Sequence, residues 1–91
     1  MATSFKKDPN AVLDYTFNWT AWLLPLLDTI VTATFLPDAG LTVDSSSHTT
    51  TTATAFVSGG TEGTSMNLTC RITTAGGRTD DRTIVLKIVN R

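Results

Sequence analysis

The stretch TSMNLTCRIT, residues 64–73, decides the fold. Met66, Leu68, Cys70 and Ile72 fall on one face, and Ser65, Asn67, Thr69, Arg71 and Thr73 on the other. Four apolar residues at period two describe a half-buried strand and not a helix. Glycine pairs bracket it, Gly59-Gly60 upstream and Gly76-Gly77 downstream. A phosphate-cradling loop needs a lysine and a Ser/Thr after its last glycine, then a helix. Here Gly63 is followed by Thr64, Ser65 and a strand, so the glycines read as turns. AGGR, residues 75–78, reads as a hairpin turn in which a glycine supplies positive φ.

Outward from this strand the same period recurs. In RTIVLKIVN (82–90), Ile84, Leu86 and Ile88 oppose Val85, Lys87 and Val89. Both faces are rather apolar, which predicts a central strand. DTIVTATFL (28–36) points Val31, Ala33 and Phe35 inward, with Ile30 out of phase at the core's edge. LTVDSSSHT (41–49) begins with Leu41 and Val43 inward, and TTTATAFV (50–57) with Ala53, Ala55 and Val57. LDYTFNW (13–19) puts Leu13, Tyr15, Phe17 and Trp19 on one face. Six strands at this spacing, with no helix-period segment, predict an all-β domain: an antiparallel β-sandwich, immunoglobulin-like in outline. TAWLLPLL allows at most one helical turn before Pro25. Residues 1–13 carry no pairing pattern and read as an extended N-terminal arm, leaving 14–91 as the sandwich.

Composition agrees. Threonine is abundant, Glu occurs once and Gln is absent, so β-branched residues replace the usual helix-surface residues. Ninety-one residues make one domain. Seven basic and eight acidic residues nearly cancel, which argues against nucleic acid and against a polybasic membrane arm. The longest apolar run, AWLLPLL (21–27), is too short to span a bilayer and contains a proline. No signal peptide is evident at MATSFKKDPN, and the lone Cys70 permits no internal disulfide, so a reducing assembly compartment is expected.

Residues that could carry chemistry are few. His48 stands alone in a polar run, without a metal-pairing neighbour. Cys70 lies on the apolar face of its strand, where a thiol is structural. Asp80 and Asp81 are adjacent, so they point to opposite sides of an extended chain and cannot act as a paired acid and base. The two glycosylation sequons, at Asn18 and Asn67, arise readily by chance in a threonine-rich chain. No catalytic, cofactor-binding or metal-binding residue is assigned. The apolar cluster Tyr15, Phe17, Trp19, Trp22, Leu23 and Leu24 is instead the expected protein–protein interface, because a small domain cannot easily bury all of it.

Five pieces in order carry a resemblance: KDPNAVLDYTFNW, DTI, AGLTVDSSS, SGGTEGT and ITTAGGRTDDRTIVLKI. Together they resemble small bacteriophage virion proteins of the fiber-tail adaptor family, over about residues 7–88. The resemblance implies an immunoglobulin-like virion protein that joins tail fibers to the tail or baseplate, without catalytic residues or cofactors. It implies other tail, baseplate or fiber proteins as partners and assembly in the host cytoplasm. A homo-oligomeric state in the virion is expected from the apolar patch at Trp22, Leu23 and Leu24. Two other readings stay open at this point. A head decoration protein also suits a small near-neutral β-domain, and a carbohydrate-binding module would use Phe56 as its platform.

Overall fold

The computed structural model describes residues 3–90. The chain is mostly β, with two sheets sharing one core. The strands are β1 (Thr3–Lys7), β2 (Leu13–Asn18), β3 (Ile30–Pro37), β4 (Leu41–His48), β5 (Thr52–Gly59), β6 (Ser65–Thr74) and β7 (Thr79–Ile88). One sheet has the order β1-β7-β6-β3 and the other β2-β5-β4. A short helix, α1 (Thr20–Leu23), passes directly into a 3-10 turn at Leu24–Leu26.

The period-two pattern of β6 is realised in full. Met66, Leu68, Cys70 and Ile72 are buried, and they pair in register with Leu86, Ile84, Arg82 and Asp80 of β7. β7 lies between β1 and β6, so the central position expected from its two apolar faces holds. From the opposite sheet, Tyr15 and Phe17 stand beside Ala55 and Ala53. Two small residues on β5 make room for two large ones on β2, a size alternation that suits close packing. Leu41 and Val57 complete this side, and Trp19 and Leu23 close one end of the core with no exposed surface.

Two expectations need correction. The first concerns β3. Ile30 is buried while Val31 is 54% exposed, because the register shifts between Ile30 and Thr32. A bulge places two successive residues against one partner, so the period-two phase read from the sequence slips at this point. The second concerns the N-terminal segment. Residues 3–7 are not an unpaired arm: they form β1, which runs parallel to β7 from Thr3 opposite Ile84 to Lys7 opposite Ile88. The sheet is therefore mixed and not purely antiparallel. Met1 and Ala2 lie outside the described residues.

Lys7 explains part of this docking. Its side chain is wholly buried, and Nζ donates to the Gly59 carbonyl at 2.7 Å and the Asp8 carbonyl at 3.0 Å. Desolvation lowers the lysine pKa, while the nearby Asp8 and Asp44 charges work the other way. An ammonium seated on carbonyls fastens the end of β1 to the end of β5. A polar residue with that role leaves no periodic signal, which is why the sequence pattern missed the strand.

Candidate functional site at one end of the sheets

Three connections meet at the end of the molecule closed by Trp19: residues 19–29, residues 49–51 and residues 75–78. Backbone bonds tie them together. Trp19 N donates to Thr51 O at 2.9 Å, Ile30 N to Thr50 O at 2.9 Å, and Ala75 N to Thr29 O at 3.0 Å.

The first connection is built on Asn18 and Trp19. Asn18 Oδ1 accepts from Thr20 N at 2.9 Å, and Trp19 O accepts from Leu23 N at 2.9 Å, which starts α1. The Trp22 ring stands edge-on to Trp19, with centroids 5.7 Å apart. The Arg82 guanidinium lies over the Trp19 ring, 4.1 Å from its centroid, and donates to Asn18 O at 2.7 Å. Pro25 then tightens the chain into the 3-10 turn, which ends at Leu27 with φ 50° and ψ 45°. This is the left-handed region, sterically unfavourable for leucine. Leu27 is nevertheless 92% exposed, and Leu24 beside it is 68% exposed.

Beneath this turn Asp28 acts as a clamp. Its carboxylate accepts from Thr29 N (2.9 Å), Gly76 N (3.0 Å) and Arg78 Nη1 (2.9 Å). The Thr74 hydroxyl contributes the largest effect, ahead of the backbone bonds and Arg78, and the carboxyl pKa falls to about 2 against the opposing effect of burial. Gly76 fits here because a Cβ would come within 2.7 Å of Arg78 Nη1 and 2.9 Å of Asp28 Oδ2. Gly77 takes φ 86° and closes the hairpin, with Gly77 N donating to Thr74 O. The apolar turn is thus presented on a rigid base.

The six residues expected at an interface separate into two groups. Tyr15, Phe17, Trp19 and Leu23 are buried in the chain's own core, which corrects their reading as surface. A core formed between two sheets accommodates more aromatic volume than their one-dimensional clustering suggested. Trp22 is half-buried and Leu24 exposed, so these two reach the surface. Leu26 and Leu27 join them there. The apolar run LLPLL held the signal for these two, but neither the left-handed backbone nor the exposure of Leu27 could be read from it.

The remaining chemistry-bearing residues are dispersed. His48 is exposed at the end of β4. Cys70 is fully buried, and burial pushes its thiol up to about 11. Asp81 is held by Arg71 through two bonds of 2.8 and 3.0 Å, which lower its pKa. A cleft of about 630 Å³ lies between β2 and the first half of β7, lined by Phe5, Tyr15, Phe17, Asp80 and Arg82 among others. Among the described residues, no three His, Cys, Asp or Glu side chains gather to hold a metal ion.

No curated protein matches the chain. A family model does, that of the podophage GP4 fiber-tail adaptor protein gp77, over residues 7–87. The matched range includes all but the first four residues of β1, the whole apolar turn and nearly all of β7. On that match the chain belongs to the phage fiber-tail adaptor family, gp77.

Proposed function

We propose that the chain is a non-enzymatic virion protein that joins tail fibers to the tail or baseplate through the apolar turn at 22–27. The observation that carries this reading is Leu27, a leucine kept in a left-handed conformation and 92% exposed. Folding favours neither property. An exposed apolar side chain held on a strained backbone is accounted for when a partner covers it. Trp22, Leu24, Leu26 and Leu27 make the contact, while the buried Tyr15, Phe17, Trp19 and Leu23 support it from below. The partner is a tail, baseplate or fiber protein, as family membership suggests.

The rest of the molecule acts as a spacer. Its principal extents are 42 × 25 × 18 Å. The strand order supports an immunoglobulin-like sandwich. β2-β5-β4 and β3-β6-β7 follow the order of the two sheets of that fold, and the first strand has moved to the free side of the last. In this reading the protein assembles in the host cytoplasm and works in the phage tail as a homo-oligomer.

The test is incorporation. Leu24→Ser with Leu27→Ser should leave circular dichroism and stability within about 0.5 kcal/mol, because both side chains are exposed. The double variant should fail to enter particles when supplied in place of the normal chain. Incorporation at the normal copy number would move the contact to another surface.

A further inference from the structure

β1 covers only half of β7. Its first described pair is Thr3 opposite Ile84, so among the described residues no strand pairs with the outer edge of Thr79–Thr83, beside the cleft. The hydrogen-bond phase of this edge can be read from the flanking bonds. Thr74 N donates to Arg78 O at one end of the β6–β7 ladder, and Ile88 N donates to Thr64 O at the other. The register between them has no shift. Alternation in an antiparallel ladder then directs the backbone groups of Asp80 and Arg82 toward β6, and those of Thr79, Asp81 and Thr83 outward. Val89 N, of the same odd set, donates to Lys7 O on β1. The outward Asp81 N–H is met only by its neighbour's carboxylate, Asp80 Oδ1 at 2.9 Å.

The side chains along this edge are self-complementary. Asp80 and Arg82 share the inward parity of Ile84 and Leu86 and both line the cleft. Arg82 lies over Trp19 and donates through Nη1 to Asn18 O, but its charge forms no salt bridge among the described residues. If two copies pair antiparallel about Asp81, Asp80 of one meets Arg82 of the other, twice. In the same register Thr79 meets Thr83 of the second copy and Asp81 meets Asp81, so each outward backbone group finds a partner. The like charges at the centre are each neutralised by their own Arg71, as the 2.8 Å ion pair already shows. Inward-pointing charges on an edge ordinarily discourage pairing. Here their alternation selects one partner, a second identical edge, in one register.

We propose that two copies of the chain join through the Thr79–Thr83 edges of β7, giving one continuous sheet across a twofold axis at Asp81. The proposal deepens the homo-oligomer part of the function above. It is tested in solution, so its failure is distinguishable from failure to enter particles.

Sedimentation equilibrium of the full chain should show a monomer–dimer equilibrium. Asp80→Arg, which sets arginine against Arg82, should weaken it at least about tenfold. Arg82→Asp should do the same, and an equimolar mixture of the two variants should form a heterodimer tighter than either homodimer. Circular dichroism of each variant reports its fold. Independently, Asp81→Cys should form an intermolecular disulfide with a mild oxidant, because directly opposed residues of a bonded pair lie within disulfide reach. Thr83→Cys alone should not, since it faces Thr79 of the second copy. A chain that stays monomeric to about 1 mM, an unchanged equilibrium in Asp80→Arg, or equal cross-linking at 81 and 83 would each overturn the proposal.

Discussion

Gly60 and Gly63 both have positive φ, 109° and 81°, yet their surroundings differ. A Cβ at Gly60 would lie 2.7 Å from Ile88 Cδ1, whereas one at Gly63 would meet nothing within 4 Å. Gly63→Ala should therefore lose only the backbone preference, about 1 kcal/mol, and Gly60→Ala about 2 kcal/mol or more by denaturant titration. Asp28 offers a test by pH. Its carboxyl pKa is about 2 in the fold against an ordinary 3.8, so the folded state favours the ionised form. The resulting stability is fully present above the unfolded pKa, near 4, and is lost as pH falls toward 2. Asp28→Asn should be less stable at neutral pH and should flatten the loss of stability over that window. Equal pH profiles for the two proteins would remove the clamp from the account. The residues behind both tests were legible as turn and polar positions. Their partners are distant in sequence: Ile88 lies 28 residues from Gly60, and Thr74 and Arg78 lie 46 and 50 residues from Asp28, so no local pattern names them.

At the scale of elements, the strands with one buried face were legible and the strand without one was not. β6 and β7 announce themselves by four and three inward apolar residues. β1 has only Phe5, itself 42% exposed, and relies on its ladder with β7 and on Lys7. Lys7→Ala should leave the part-buried Gly59 carbonyl without this donor and cost about 1–3 kcal/mol. Hydrogen exchange should then show the amides of 3–7 and the β1-facing amides of β7 opening first. Uniform protection loss across all strands would mean that β1 is integral to the fold and not a separately fastened edge. The register shifts in β3 and β4 are also hidden from the sequence, because the phase of a strand after a bulge depends on the pairing partner.

The whole molecule is organised around one core to which both sheets contribute, with Cys70 inside it at 0% exposure. Reaching that thiol requires the sheets to part, and burial also holds it protonated, with a pKa of about 11. Labelling by a thiol reagent should be slower in the native protein than in denaturant by on the order of 10³-fold or more. Comparable rates would show that the core opens locally. The sequence by itself determined the β class, the faces of five strands, the burial of Cys70 and the turn role of the glycines. These follow from local chemistry: side-chain period along an extended chain, and the backbone freedom of glycine. It also marked residues 15–24 as an unusual apolar concentration, and so pointed to the region of the proposed contact. Only the tertiary structure divided that region into a buried half and an exposed half, paired residues 3–7 with β7, and left the outer edge of Thr79–Thr83 without a partner strand among the described residues. The physical reason is common to all three. Burial and edge exposure depend on which strands lie side by side across the two sheets, and that adjacency is set by contacts between residues distant in sequence.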